Sequence, residues 1–270
     1  MELVGIARLA AQSELLEEKR EVRYFELPAR SILNRTKPNM PFEWTINPYR
    51  GCEFGCKYCY ARYTHEFMEM APEEFEDKIY AKSAGAQLLR QELRRVERKE
   101  WIAIGTATDP YQPAERRFGR TRAILEVFAR ERGRRVSVTT KSDLVARDID
   151  LLREIARANV LGINMTVTTL DEKLARALEP RAPRPELRLQ AVRRLSAAGI
   201  CVGVFPNPIM PGLTDSERAL DGLALAARVA RVRERYGLAS GMIEYRPELW
   251  EGEQQGELFP AEAIEPARPR

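Results

Sequence analysis

A chain of 270 residues can enclose one large core, and 44% hydrophobic beside 31% charged content excludes a disordered or fibrous protein. The net charge of +4 is the small difference between 44 basic and 40 acidic residues, which excludes an overall polycation. No apolar run approaches the ~20 residues of a membrane span, the start of the chain lacks a secretion-signal pattern, and four cysteines, three of them crowded together, make a poor disulfide framework. A reduced, cytoplasmic setting is expected.

In chain order, residues 1–43 read as a charged N-terminal extension, with a helical run near 9–23 and a proline-containing loop over 31–42. The first strand is expected at 43–47 and a helix at 60–70. Helices and short apolar strands then alternate: helix 84–99 with strand 101–105, helix 121–132 with strand 135–140, and helix 147–158 with strand 161–168. Helices 171–178 and 185–198 precede strand 200–205, and helix 215–236 precedes strand 241–245. Repeated βα units require a parallel sheet, so the fold class is α/β. The core therefore spans 44–246, and the polar, proline-rich 247–270 read as a mobile tail.

Between the first strand and its helix, Cys52, Cys56 and Cys59 are spaced C-x3-C-x2-C, with no fourth cysteine nearby. Thiolates suit iron–sulfur clusters, zinc or copper(I). A closed zinc site or an electron-transfer [4Fe–4S] cluster takes four ligands. Three thiolates on a [4Fe–4S] cube leave one iron open to a small molecule, as a cluster doing chemistry requires. A structural zinc or redox-inert cluster module is the bland alternative.

The spacing, with the aromatic Tyr58 just before the last cysteine, resembles the signature of the radical S-adenosylmethionine (SAM) enzymes. Further blocks are 44–52, Thr64-His65-Glu66, Thr108-Asp109-Pro110-Tyr111-Gln112-Pro113, Thr140-Lys141-Ser142 and Glu179-Pro180-Arg181. Together they resemble the spore photoproduct lyase-like proteins, often labelled DNA repair photolyases, over roughly 31–215. The resemblance implies a partial (βα)6 barrel. It also implies a cluster held by Cys52, Cys56 and Cys59 whose open iron chelates SAM, and a reductant such as flavodoxin or ferredoxin. Reductive cleavage then yields a 5′-deoxyadenosyl radical.

In a parallel barrel the site lies at the C-terminal strand ends. There Thr106, Thr108 and Asp109 are candidates for SAM's methionine ammonium, after a small residue, Gly105, that admits the ligand. The alternative for Asp109 is a capped turn before Pro110. Lys141 is placed to pair with the SAM carboxylate. Asn164, Thr166 and Thr168 alternate along one strand and so share a face, suited to the ribose or to an internal polar network. Arg181 is expected on SAM or an anionic substrate, or paired with Glu179. Asn207 and Ile209 are expected near the adenine, as the resemblance implies, and Tyr58 against the cluster or a ligand ring. The Thr-His-Glu resemblance implies that His65 braces the cysteine loop or faces the substrate, with bracing the favoured role, and Cys201 is read as a buried structural thiol.

Spore photoproduct lyases proper carry a cysteine after the second strand that returns a hydrogen atom to the repaired base. No cysteine stands between Cys59 and Cys201 here. Reductive SAM cleavage is thus the expected chemistry, with nucleic acid as the substrate class by analogy alone. A repair lyase would need another donor, for which Tyr58, Tyr60 and Tyr111 are the candidates. Arginines at 90–98, 116–122 and 130–135 could grip phosphates, but the glutamates among them favour a salt-bridged face.

Overall fold

The computed structural model describes residues 3–19 and 22–215. Its strands are β1 (Glu14–Lys19), β2 (Val22–Pro28), β3 (Leu33–Arg35), β4 (Trp44–Ile46), β5 (Tyr49–Arg50), β6 (Lys78–Ser83), β7 (Trp101–Ile104), β8 (Arg135–Thr140), β9 (Val160–Thr166) and β10 (Val202–Phe205). Its helices are α1 (Gly5–Ala11), α2 (Tyr63–Glu66), α3 (Gly85–Glu92), α4 (Glu115–Phe118), α5 (Arg120–Ala129), α6 (Ile149–Ala158), α7 (Glu172–Leu178) and α8 (Pro185–Ala197).

The larger sheet has the order β10-β9-β8-β7-β4-β3. From β4 to β10 every pairing is parallel, and β3 closes the edge antiparallel. A parallel sheet must be covered by its crossover helices, so its strands are apolar on both faces. Every residue of β7 is buried accordingly. Ile46, Ile104, Val138, Ile163 and Met165 from the strands meet Leu89, Leu125, Phe128, Leu152 and Leu195 from α3, α5, α6 and α8 in one core. This is the open, partial barrel that the βα alternation and the resemblance anticipate. The helix expected at 215–236, the strand at 241–245 and the tail at 247–270 lie outside the described residues.

A second sheet, β1-β2-β6-β5, was not anticipated. The helix expected over 9–23 stops at Ala11, and the chain continues as an antiparallel hairpin. Burial alternates on β2, where Val22 and Tyr24 face inward, and the glutamates of β1 need only its partner strand. Tertiary pairing thus overrides the helix propensity of leucine and glutamate. β6 escaped notice because its parallel partner, β2, lies some fifty residues earlier, with Arg23 aligned on Lys78. The N-terminal 43 residues thereby contribute to both sheets.

The other differences are at helix ends. The helix expected over 60–70 is a 3-10 turn followed by the short α2. The helix expected over 84–99 ends at Glu92, where the buried Arg134 guanidinium donates to the Leu93 and Val96 carbonyls. Those are the acceptors a helix terminus leaves unpaired.

His65 sits behind the cysteine loop, buried, with its ring edge-on to Phe75 at 5.1 Å and near Tyr80 at 6.3 Å. Its Nε2 pairs with the Lys78 carbonyl at 3.2 Å, while Nδ1 has no partner. Burial lowers its pKa from 6.5 to about 4, against the pull of that carbonyl. The unfolded chain therefore binds a proton in that window that the folded chain refuses, so stability falls as pH drops from about 6.5 toward 4. At ~1.36 kcal/mol per pH unit this is roughly 3 kcal/mol, and none of it is lost above the window. Denaturant titrations across it should show the loss for the wild type and a flatter profile for His65→Gln; parallel profiles would exclude His65 as the cause.

Candidate active site

The C-terminal ends of β4, β7, β8 and β9 open on a cleft of about 760 Å³, within the range of small-molecule sites. Cys52, Cys56 and Cys59 line it, together with Tyr58, Tyr60, Thr106, Thr108, Asp109, Lys141 and Thr166. The three cysteines pack with Phe54, Phe75 and Ala182 in one small apolar cluster, and none is in a disulfide. Burial pushes the Cys52 and Cys56 thiols up, Cys56 to about 12 despite the nearby Lys141 charge. Thiolates there need a positive partner, which a metal centre supplies. No three His, Cys, Asp or Glu side chains among the described residues gather closely enough for a single ion. A cube that offers each thiolate its own iron has no need of such convergence. The residues fit a cluster.

A loop of this kind has little regular structure, and polar groups hold it from outside. Gly51 takes φ +78°, and a Cβ on it would stand 2.6 Å from the Lys78 carbonyl oxygen, so glycine is required. The Gly51 carbonyl accepts from the Thr108 hydroxyl at 2.6 Å and from the Gln112 amide at 3.0 Å. Gln112 in turn accepts from the Glu53 backbone N–H at 3.1 Å. The buried Glu53 carboxylate accepts from the Tyr24 hydroxyl and the Ala114 N–H, both at 2.8 Å. The Thr-Asp-Pro-Tyr-Gln-Pro block thus braces the cysteine loop as much as it borders the cleft.

On the opposite side, Tyr58 is pinned between cation and carboxylate. Its hydroxyl donates to Glu179 and lies 3.0 Å from the Thr168 hydroxyl, and the Lys141 ammonium is 5.5 Å from its ring centroid. Glu179 is buried, which alone would raise its pKa, but the equally buried Arg188 paired with it holds it below the usual value. Arg188 also donates to the Thr166 and Pro183 carbonyls at 3.1 and 2.8 Å. Removing one partner would strand a buried charge.

Several expected residues take other positions. Both Asp109 oxygens are occupied: Oδ1 by the Tyr111 N–H and the Thr140 hydroxyl, Oδ2 by the Lys141 N–H at 2.7 Å. It caps the turn and joins two strand ends, and burial raises its pKa against those bonds. Gly105 lines the cleft, and a Cβ on it would stand 2.5 Å from Pro110 and 2.6 Å from the Thr139 carbonyl, so packing alone already requires glycine there. Tyr111 lies in the main core and outside the cleft. Arg181 pairs with Asp77 at 3.0 Å and not with Glu179. Asn164 donates to Thr139 at 3.3 Å and, like Thr168, Asn207 and Ile209, is not among the residues lining the cleft. Thr168 instead joins Glu179 and the Asn207 carbonyl in the network behind Tyr58. Cys201 precedes β10, at the end of the strand away from the cleft, and is half-buried. Many of the clustered arginines are already paired: Arg120 with Glu26, Arg122 with Asp148 and Asp150, Arg134 with Glu131.

Sequence reasoning missed Asn47, Arg50, Glu53, Lys82 and Gln112. Asn47 binds the Ala107 N–H at 2.8 Å and reaches Thr106 at 3.3 Å. Asn47, Arg50 and Gln112 stood in the motif blocks, whereas Lys82 lies on the unexpected β6.

The family model of the radical SAM superfamily matches residues 46–221, from the end of the first parallel strand and including the three cysteines. The chain belongs to the radical SAM superfamily. Radical SAM proteins as a class use a [4Fe–4S] cluster and SAM. An uncharacterized protein of Mycobacterium tuberculosis is 38% identical over 207 residues, covering 75% of this chain and 60% of its own length. One from Methanocaldococcus jannaschii is 30% identical over 198 residues, covering 73% of this chain and 71% of its own. The fold is similar to that of spore photoproduct lyase complexed with dinucleoside spore photoproduct, with TM-score 0.60 and 17% identity, over 82% of this chain and 58% of that one. The chain thus spans only about 60% of the mycobacterial relatives' length. No helix among the described residues is long and apolar enough to cross a membrane.

Bracing can be tested apart from activity. Gln112→Ala leaves the buried Glu53 N–H without its acceptor, which costs ~1–3 kcal/mol. Its thermal midpoint and its iron content after anaerobic reconstitution should both fall, while Gln190→Ala, on the exposed face of α8, changes neither. Full iron content and unchanged stability in Gln112→Ala would remove Gln112 from this role.

Proposed function

We propose that Cys52, Cys56 and Cys59 hold a [4Fe–4S] cluster with one iron open to SAM, and that the substrate is a nucleic acid held at the rim of the cleft. The observation that carries the first part is three cysteines outside any disulfide, Cys52 and Cys56 buried and Cys59 half-buried, opening on one cavity large enough for SAM. When bound, the cluster supplies the electron for reductive cleavage of SAM, fed by a donor such as flavodoxin or ferredoxin, and so for hydrogen abstraction from the substrate. Lys141 offers its charge to the SAM carboxylate, and Thr106 and Thr166 offer hydroxyls on the same wall. Tyr58, held by Glu179, keeps the flank of the cysteine loop dry.

The substrate reading rests on the lining beyond the cysteines. Arg35, Lys37, Arg50, Lys82 and Lys141 line the cleft, and its one carboxylate is Asp109, which already accepts three hydrogen bonds. At the rim, Tyr60 and Phe67 are 69% and 60% exposed, and Tyr63 lies between them, 6.5 Å from Tyr60 and 5.7 Å from Phe67. Exposed rings beside cations are how unpaired bases and their phosphates are held. A base must leave its stack to reach a buried reaction centre.

Anaerobic reconstitution should give four irons and four sulfides per chain and, on reduction, 5′-deoxyadenosine from SAM. Cys52→Ala, Cys56→Ala and Cys59→Ala should each lose the visible absorption of the cluster, whereas Cys201→Ala keeps it. A single zinc per chain would overturn the assignment.

For the substrate, a short single-stranded oligonucleotide should bind with log K falling by about 0.7 per phosphate neutralised as log salt rises. Tyr63→Ala or Phe67→Ala should weaken it roughly five- to 150-fold, the worth of one stacked base at ~1–3 kcal/mol. Oligonucleotide affinity equal in wild type and variants would leave the cluster assignment standing and remove the nucleic-acid reading.

A further inference from the structure

Lys82 is 9% exposed at the inner end of β6, and it borders a second cavity besides the cysteine-lined cleft. That cavity, of about 260 Å³, lies between the starts of α3 and α5. Its charged lining consists of Lys82, Arg90 and Arg120, with no carboxylate. Backbone donors converge there too. α3 begins at Gly85 after Ala84, which has φ 56° and no side chain able to cap, so the first amides of the helix enter the cavity wall uncapped. A helix N-terminus carries about half a positive charge on such groups.

Two of the cations lack partners in that wall. The Nε of Arg120 is buried without an acceptor, since its ion pair with Glu26 uses Nη2. The Lys82 ammonium makes no hydrogen bond or ion pair with any described residue. Glu92, the carboxylate whose field reaches it, spends one oxygen on the Ile32 and Leu33 N–H groups at 3.1 and 2.8 Å. Burial, with Arg50 adding to it, brings the Lys82 pKa down to about 7, while Glu92 works the other way. A buried lysine, an orphan guanidinium N–H and an open helix N-terminus around one cavity are each unfavourable when left to themselves. One multiply charged oxyanion offsets all three at once.

We propose that this cavity is a second, phosphate-binding site, distinct from the cysteine-lined cleft and joined to it through Lys82. The bound group accepts from the leading amides of α3, from the Lys82 ammonium and from the Arg90 and Arg120 guanidiniums. A phosphate fits this donor set better than a carboxylate, because three cations and a helix end surround it and each needs an oxygen. Its occupation places a counter-charge beside Lys82, in the wall shared with the neighbouring cleft. Two sources share the chemistry: a small phosphorylated molecule, or one phosphate of a nucleic-acid chain that also enters the cleft. The site does not depend on the cluster or on the identity of the substrate.

The test is calorimetric titration of the full chain with inorganic phosphate, in parallel with sodium acetate and with a short oligothymidylate lacking terminal phosphates. Wild type is expected to bind one phosphate per chain and to show no comparable heat with acetate. Arg120→Gln should weaken phosphate about ten- to a hundredfold, the worth of one charge-assisted hydrogen bond. Ala84→Asp should weaken it at least as much while leaving the thermal midpoint unchanged or higher, because the new carboxylate occupies the same amides. This second variant keeps the result interpretable should Arg120→Gln fold poorly. Arg95→Gln, outside the cavity, should leave phosphate binding as it was. Competition of oligothymidylate with phosphate assigns the site to a nucleic-acid phosphate; indifference assigns it to a small phosphorylated molecule. Failure of wild type to bind phosphate, or equal affinity in wild type, Arg120→Gln and Ala84→Asp, would overturn the proposal.

Discussion

Everything at the cleft depends on holding three thiols, two of them buried, in a loop that cannot hold itself. Gly51, in a conformation other residues avoid, turns its carbonyl toward Thr108 and Gln112. Gln112 and Glu53 carry the load to Ala114 and, through Tyr24, to the second sheet. Each of these groups is buried, so each bond lost would leave a polar atom without water to replace it. The loop is therefore cooperative with the fold around it.

The same economy explains the charged groups nearby. Glu53, Glu115, Asp148, Glu179 and Arg188 are all buried, and most are shared among several donors. The Glu115 carboxylate alone accepts from the Tyr49 hydroxyl, the Thr121 N–H and Arg147. Such residues tie α5 to the turn before α6: Arg147 reaches both Glu115 and Asp148, and Arg122 also reaches Asp148. Cations that bind none of the described residues, such as Lys82, stand out against this background and mark places where a ligand has electrostatic work to do.

The second sheet contributes a wall to both cavities. β5 follows the first parallel strand directly and pairs with β6, so Arg50 and Lys82 are carried to the back of the cleft, where α3 and α5 begin. Without β6 there would be no shared wall. The exposed rings of Tyr60, Tyr63 and Phe67 come from the turn and short helix after the cysteine loop, which end too soon to bury them.

The amino-acid sequence alone determined the parallel α/β core, because strands buried on both faces must be short apolar runs and the helices between them must be amphipathic. It also determined the three thiols, since their spacing is local and chemically specific, and the strand-end positions of Thr106, Thr108, Asp109 and Lys141. What it left open depended on contacts between distant segments. Only the tertiary structure made 14–19 and 22–28 an antiparallel strand pair, because a glutamate-rich stretch becomes a strand when a partner edge is present. Only it turned Asp109 and Thr108 toward backbone donors and acceptors, gave Arg181 to Asp77, and took Tyr111 into the core. Side-chain direction at a strand end follows from which neighbour is nearer. That neighbour, whether Thr140 beside Asp109 or Asp77 beside Arg181, stands tens of residues away in the chain.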